Sequence, residues 1–338
     1  PIMNLYEALV DIVGANNVSS EAEELYFYSR DPGLSPGRSV DYVVLPQTTE
    51  EIQKIMLLAN KEKVSVVPMG GGLALSGLVI PQKGGIVIDM KRMRRILNVN
   101  EKARSVIVEG GTSQGALQAF LEQKYPLLEH SLPEAPPPTT IASNVMIHGQ
   151  GRFTLSHGFN SDMVTGLEVV LPSGELCKIG SCAMSSDWFS KGPTLPDLSG
   201  LFLGWFGATG IITKVGIKLY PRKKIKDVES FTKDKAQLMP EILFRLTHTG
   251  MAEDLSGGSQ VGWLFDPPMI EGYHYVSIRL AGDTDEEIEF KRKMIWDSLK
   301  DIRKSKDGGF LWVMNFMKSP LMESPQKWVT RIFGDKAY

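Results

Sequence analysis

The sequence predicts an α+β protein of two domains, and three observations carry that prediction. Residues 40–67 read strand, helix, strand, with β-branched runs flanking a helix that has a capping signal at its start. Two later strands, "LEVVL" and "LCKIG", flank the turn sequence "PSGE", which signals a hairpin and so antiparallel pairing. The charged stretch "RKKIKD" (222–227) then separates this part from a second strand, helix, strand pattern. A chain of 338 residues exceeds the usual size of one domain, which agrees with two domains or one large domain with a second layer.

The elements follow in order. An amphipathic helix opens the chain, with Leu5, Leu9, Ile12 and Val13 on one face, and the irregular "SRDPGLSPGRS" follows it. Next come the strand "VDYVVL", the helix "TTEEIQKIMLLANKEK" and the strand "VSVV". Thr48 or Thr49 can cap that helix, and Glu51, three residues after Thr48, completes a capping box. A glycine-rich loop follows, and then the strands "GGIVIDM" (84–90) and "RSVIVEGG" (104–111). "SQGALQAFLEQK" is a helix with Leu117, Phe120 and Leu121 on one face, and "PEAPPPTT" (133–140) breaks all periodicity. After the hairpin, "GIITKVGIKLYP" (210–221) is one more long strand, and the charged linker places a domain boundary near residue 222. Beyond it, "YHYVSIRL" (273–280) alternates like a half-buried strand. A helix from about Asp285 to Ile302 turns Ile288, Ile295, Leu299 and Ile302 inward, and "FLWVMNF" (310–316) closes the pattern. No internal repeat or low-complexity tract is present.

Composition excludes several function classes. The hydrophobic content of 42% supports a sizeable core, and 37 Lys plus Arg against 39 Asp plus Glu leaves no global field for nucleic acid or an anionic membrane. A small-molecule or protein partner is therefore expected, with a homo-oligomer left open. Cys177 and Cys182 have no C-x-x-C or histidine pairing, and they read as incidental thiols of a reducing compartment. No histidine pair has metal-ligand spacing, so no metal site is expected. No run of eighteen apolar residues occurs and no signal-peptide pattern opens the chain, which leads to the expectation of a cytoplasmic protein. A proline at position 1 reads as a native start that is processed or missing. Met90 and Met93 read as core filling, and Trp188, Trp263, Trp296 and Trp312 as core or cap packing.

The stretch with most chemistry in it is "VVPMGGGLALSG" (66–77). Glycines admit backbone conformations closed to other residues and let several N–H groups converge on an anion. The same composition also makes an ordinary turn, so the loop by itself leaves turn and phosphate cradle both open. There is no G-x-x-x-x-G-K-[ST] and no G-x-G-x-x-G that opens a long helix. Any phosphate held here is held by main-chain N–H groups.

Six blocks in one order settle the balance. They are "YSRD" (28–31), "VVLPQTTEEIQKIMLLAN" (43–60), "PMGGGLALSG" (68–77), "VIVEGGTSQGALQAFL" (106–121), "TTIASNVMIHGQG" with "DMVTGLEVVLPSGELCKIG", and "GPTLPDLSGLFLGWFGATGIITKVGIKLYP" (192–221). From about Tyr28 to Pro221 the chain resembles the FAD-binding domain of the vanillyl-alcohol oxidase and p-cresol methylhydroxylase superfamily. It looks most like D-lactate and glycolate dehydrogenases, the glycolate oxidase FAD subunit among them, and next like the oxidisers of 4-alkylphenols.

The resemblance implies FAD as cofactor, with two α/β subdomains (about 1–97 and 98–222) followed by an α+β cap domain (223–338) that carries an antiparallel sheet. It implies that residues 70 to 76 hold the pyrophosphate, within a binding loop made of Pro68, Met69, Gly70, Gly71, Gly72, Leu73, Ala74, Leu75, Ser76 and Gly77. It further implies that Pro133, Thr139, Thr140, Ile141, Ser143, Asn144, Gly149 and Gly151 line the flavin side, and that the backbone of Ile211 and Ile212 lies near the adenine end. The implied activity is oxidation of a small hydroxy acid by hydride transfer to flavin N5, with electrons passed to an acceptor other than NAD. A flavin-binding subunit of an electron-transfer assembly without a complete substrate site of its own, an oxidiser of 4-alkylphenols, and a non-flavin binder with the same fold are the alternatives.

The chain departs from the family at named positions. Met69, Leu73 and Ala74 stand where a basic residue and two hydroxyls are usual, Ala142 and Ser143 replace two glycines, and Trp205 and Phe206 replace a small polar and an acidic residue. No histidine lies between Val66 and Gly77, so the covalent flavin link that some relatives make in this loop is excluded there. A late H-x-G-D-G-N-x-H-like segment of the hydroxy-acid members is not visible among residues 222–338, so a shortened member or a sequence without its C-terminal portion is expected. Hydride transfer needs a group that takes the substrate proton. His148 stands where phenol-oxidising members have an arginine, four residues after Asn144, and with Arg152 it is the catalytic candidate. His157 reads as an exposed loop residue, and His130, His248 and His274 as structural.

Overall fold

The computed structural model describes residues 4–192, 195–233, 235–259, 274–304 and 310–311. The chain divides into two compact units. The first contains the described residues up to Gly151 together with Phe159–Tyr220, and the second contains Arg152–Gly158 and the described residues from Pro221 onward.

The first unit begins with α1 (Leu5–Val13), whose start is closed by a reciprocal cap between Asn4 and Glu7, and with the edge strand β1 (Val18–Ser19) and α2 (Ala22–Tyr28). β2 (Tyr42–Val44), α3 (Thr49–Glu62), β3 (Val66–Met69) and β4 (Ile86–Asp89) follow. The sheet order is β1-β2-β4-β3, with β4 parallel to both β2 and β3, and β1 antiparallel at the edge. Thr48 caps α3 by accepting from the Glu51 N–H at 3.2 Å. The Glu51 carboxylate reaches past it to the N–H of Gln47 at 2.6 Å, one residue earlier than a capping box requires. Leu9, Val44, Ile52, Ile55, Ile86 and Ile88 form the core, and Met90 and Met93 fill it as expected.

A second sheet is antiparallel throughout. It consists of β5 (Ile96–Asn100), β6 (Ser105–Glu109), β8 (Val164–Val170), β9 (Leu176–Ile179) and β10 (Ile211–Lys218), in the order β5-β6-β10-β8-β9. The predicted turn "PSGE" joins β8 to β9, with Leu171 and Glu175 paired backbone to backbone and Gly174 at φ +88°. Trp188 packs its ring against Gly166 and Gly216, where an added Cβ would meet it at 3.1 and 3.0 Å. Between β6 and β8 lie α4 (Gln114–Lys124), the short strand β7 (Leu128–Glu129) and α5 (Ile141–Met146). The two sheets share a core, because Val170 and Ile211 of the second belong to the apolar cluster under the first. The Thr49 hydroxyl also donates to the buried Glu168 carboxylate of β8 at 3.0 Å.

In the second unit, α6 (Thr154–His157) stands apart in sequence, and the chain re-enters it at Pro221, the second residue of β11 (Tyr220–Pro221). Its sheet has the order β13-β14-β12-β15, formed by β12 (Ile225–Lys233), β13 (Asp254–Ser259), β14 (His274–Gly282) and β15 (Phe310–Leu311), all antiparallel. The helices are α7 (Met239–His248), α8 (Asp285–Ser298) and α9 (Lys300–Lys304).

Two expectations are corrected here. The supposed linker "RKKIKD" is partly strand, since Ile225, Lys226 and Asp227 open β12. Its charges find partners, Lys226 on Glu253 and Asp227 on Arg292. The single helix expected over 285–302 stops at Leu299 and resumes as α9, although Ile288, Ile295, Leu299 and Ile302 are all buried as the periodicity required. Of "FLWVMNF" only Phe310 and Leu311 are described, and Trp263 and Trp312 lie outside the described residues.

Candidate functional site

The glycine loop starts where β3 ends, at Met69, whose backbone registers with Asp89 of β4. Glycine is required at the next two positions by close approach rather than by dihedral angle. An added Cβ at Gly70 would lie 2.4 Å from the Thr140 hydroxyl and 2.6 Å from that of Ser143, and one at Gly71 would lie 2.5 Å from the carbonyl oxygen of Pro138. Gly72 and Gly77 have φ of +68° and +77°, values that side-chain-bearing residues adopt at a cost. The loop is pinned at its far end by Asp31, whose carboxylate accepts from the N–H of Gly33 at 2.9 Å and of Gly77 at 2.7 Å. Underneath, the buried Tyr28 hydroxyl donates to Asp89 at 2.8 Å and Lys91 stands 3.0 Å from it. Burial, with Asp89 adding to it, pushes the Tyr28 phenol up, so it remains a donor.

Among the described residues, no protein acceptor takes the N–H groups from Gly71 to Ser76. An anion nest needs a run of backbone donors that no protein acceptor uses, and this loop supplies six of them. The FAD pyrophosphate is the group that the resemblance implies for it, and the residues are compatible with it. Leu73 and Ala74 carry no hydroxyl, but Thr140 and Ser143 bring theirs to the same loop from the facing segment.

That facing segment is fixed by its own bonds. Thr140 caps α5 by accepting from the Ser143 N–H at 3.2 Å, and its hydroxyl is also bonded to that of Ser143. The N–H of Ile141 donates to Thr112 and the N–H of Gln114 to Thr139, so the proline-rich run with its buried Pro133 is moored on the start of α4. Thr139 turns its hydroxyl back on the Pro136 carbonyl at 2.7 Å. Asn144 accepts from the side chain of Asn160 at 2.6 Å, and the N–H of Gly149 donates to the Asn144 carbonyl at 2.8 Å. Gly151 is packed so closely that a Cβ would stand 2.3 Å from the Ser131 hydroxyl.

His148 lies on this stretch, exposed, in the left-handed region at φ +56°. Its Nδ1 is hydrogen-bonded to the Ser161 hydroxyl, and its ring lies 4.2 Å from that of Phe159, tilted by 30°. A histidine with one ring nitrogen committed to a hydroxyl has its orientation set and its other nitrogen open to a proton. His130, by contrast, is buried with Nε2 2.9 Å from the side-chain oxygen of Gln114, which is the structural role expected of it. His157 is exposed and bonded to its neighbour Ser156. Arg152 belongs to the second unit, where its Nε lies 4.0 Å from the Glu253 carboxylate.

The structure thus brings Gly70 and Gly71 against Pro138 to Ser143 and joins Asn144 to Gly149, while Leu75 and Gly77 lie against Gly33 and Ser35 and Pro68 against Gly207. Ile211 and Ile212 sit at the head of β10, paired with Val170 and Val169. Three residues were missed by sequence reasoning. Asp31 was quoted only as part of "YSRD", although an aspartate just before Pro-Gly is an Asx-turn signal. Asn160 and Ser161, which hold Asn144 and His148, gave no signal in the sequence beyond polarity. Among the described residues no group of acidic, histidine and cysteine side chains could hold a metal, and no helix is long and apolar enough to cross a membrane.

Residues 40–180 match the family model described as FAD binding domain. The chain is 30% identical over 220 residues to the glycolate oxidase subunit GlcD of Bacillus subtilis (strain 168), a match that takes in 65% of this chain and 45% of that protein. It is 32% identical over 210 residues to the mitochondrial D-lactate dehydrogenase [cytochrome] of Arabidopsis thaliana, across 60% of this chain and 35% of that protein. The chain therefore spans less than half the length of these curated relatives. Among solved structures, p-cresol methylhydroxylase with substrate bound superposes with a TM-score of 0.74 at 19% identity, over 91% of this chain and 65% of that one. Residues 40–180 thus carry the likeness to an FAD binding domain, and the chain shares the fold of p-cresol methylhydroxylase.

Proposed function

We propose that this chain is the FAD-carrying part of an oxidoreductase that oxidises a small hydroxy acid of the D-lactate or glycolate type and passes electrons to an acceptor other than NAD. The observation that carries the reading is the glycine loop, with its unspent N–H groups set against the hydroxyls of Thr140 and Ser143. The relatives named for glycolate and D-lactate support the substrate class, and the bracketed cytochrome in one name supports an acceptor that is a protein.

FAD, when bound, supplies the hydride acceptor. The work of this chain is to hold and to position. Main-chain N–H groups from Gly70 to Ser76 hold the pyrophosphate, with Pro68, Met69 and Gly77 as the ends of the loop. Thr139, Thr140, Ile141, Ser143, Asn144, Gly149 and Gly151 form the flavin side, Pro133 stiffens its approach, and the backbone of Ile211 and Ile212 lies toward the adenine. His148 takes the proton of the substrate hydroxyl, its ring fixed by Ser161 and Phe159. Arg152, the second candidate, belongs to the second unit, where it stands beside Glu253. Residues 1–222 serve as the FAD-binding domain and 223–338 as the cap.

The test is anaerobic addition of D-lactate, glycolate or a 4-alkylphenol to the FAD-loaded protein, read as loss of the visible flavin band. Bleaching by a hydroxy acid supports the reading, bleaching by the phenol alone moves the substrate class to phenols, and no bleaching by any of them refutes both. A second reading is favoured by one feature, the word subunit in the name of the Bacillus relative. If the chain is a flavin-binding component of an assembly, it binds FAD but turns over only when co-expressed with a partner, and turnover by the isolated chain excludes that.

A further inference from the structure

The loop Gly204-Trp205-Phe206-Gly207 is the one departure from the family pattern that the site described so far does not use. Trp205 and Phe206 are large apolar side chains left 55% and 54% exposed. Phe206 has φ +55°, between Gly204 at +82° and Gly207 at +85°, so a bulky aromatic is held in the left-handed region. A conformation of that kind costs free energy and persists only where surrounding structure imposes it, often at a ligand site. The imposing contacts are visible. The N–H of Gly204 donates to the carbonyl of Met146 at 2.8 Å, at the end of α5, and a Cβ on Gly207 would lie 3.1 Å from the ring of Pro68 and 3.4 Å from the sulfur of Met146. The loop that carries the aromatic pair is thereby anchored on Pro68, near the end of β3, and on Met146, the last residue of α5. Two positions on, the Thr209 hydroxyl is shut off from solvent and meets no partner among the described residues.

We infer that Trp205 is a cofactor-positioning residue, its indole a stacking platform for one of the two flat rings that extend from the FAD pyrophosphate, with Gly204 and Gly207 holding the loop on Met146 and Pro68. The inference rests on the assignment of the glycine loop to the pyrophosphate. Its chemistry is that of indole against a heteroaromatic ring, and the indole N–H is already spent on the Gly200 carbonyl at 2.9 Å, which fixes the plane of the ring without needing a partner on the ligand.

The experiment measures dissociation constants of FAD, ADP and FMN for the apoprotein by ultrafiltration, in wild type, Trp205→Ala and Trp205→Phe, with thermal melting as a check on folding. Base–aromatic stacking of about 1–3 kcal/mol corresponds to roughly 5- to 150-fold, so Trp205→Ala is expected to weaken FAD by that factor and Trp205→Phe to recover most of it. Loss of ADP affinity to the same degree assigns the adenine ring to Trp205, and loss of FMN affinity assigns the isoalloxazine. Trp205→Ala binding FAD as wild type does, or Trp205→Phe failing as badly as alanine, overturns the inference. Failure of wild type to bind FAD at all would instead overturn the cofactor site on which it rests.

Discussion

Replacing Gly71 by alanine tests the cradle most directly, because its new methyl group would have nowhere to go. The added Cβ would stand 2.5 Å from the Pro138 oxygen, 3.1 Å from the Pro138 carbonyl carbon and 3.1 Å from the Thr139 Cα. All three are backbone atoms, and that stretch is moored to α4 through the bonds from Gln114 to Thr139 and from Gly115 to Pro137. The loop must therefore move away from Thr140, and overpacking of this kind costs about 1–3 kcal/mol. If the cost falls on the bound form, FAD affinity drops by roughly 5- to 150-fold. Gly70→Ala is the internal comparison, because its methyl would meet the hydroxyls of Thr140 and Ser143, which are short side chains rather than backbone. Gly200→Ala is the blank, with nothing within 4 Å. The assay is the FAD dissociation constant by ultrafiltration, alongside a thermal melt. The expected ranking is Gly71→Ala worst, Gly70→Ala milder and Gly200→Ala neutral. A Gly71→Ala protein that holds FAD like wild type would refute the reasoning from close approach.

Three further outcomes follow from other contacts. Asp31→Ala strips the acceptor from the Gly33 and Gly77 N–H groups, and at about 1.5–3 kcal/mol for a bond to a charged acceptor the loop should loosen, read as faster FAD release in a dilution assay. Glu168 is pushed up by burial, but the bonds from Lys214, Thr213 and Thr49 outweigh that and hold it below its ordinary value of 4.5. A lowered carboxylate pKa gives stability that is present above the unfolded value and lost as pH falls through the folded one, so the advantage of wild type over Glu168→Gln in melting temperature should shrink below about pH 4.5. Breaking a buried pair costs about 3–5 kcal/mol, and Lys214 at 30% exposure puts this one toward the low end, so no difference at pH 7 would contradict the assignment. His148→Gln should slow substrate-driven flavin reduction by roughly 10²- to 10⁴-fold while leaving FAD bound, in stopped-flow traces, and an unchanged rate removes His148 from the chemistry.

What the sequence disclosed, and what it hid, follows from the range of the interactions concerned. Thr48 and the "PSGE" turn were readable because capping and tight turns are decided within a few residues. Ile288, Ile295, Leu299 and Ile302 were readable as an inward face for the same reason, although the break at Leu299 was not, since periodicity continues across it. β12 escaped because its charges look like a linker until Glu253 and Arg292, more than twenty residues away, are seen to pair with them. The glycine loop was legible as glycine-rich, but the reason for two of its glycines is the Pro138–Ser143 segment on the far side of β6 and α4, contacts that one stretch of sequence cannot report. His148 was singled out by position, while its hold on Ser161 and Phe159 comes from a turn thirteen residues on.

The shared core beneath the two sheets has a consequence for how the cofactor half behaves as a whole. Val170 and Ile211 lie among Leu9, Val44 and Ile52, and Thr49 is tied to Glu168, so neither sheet can be undone without exposing apolar surface that belongs to the other. The boundary expected at about residue 97 would separate topology and not energetics, because a fragment cut there loses part of its own interior. Heat or denaturant should melt both sheets in one cooperative step.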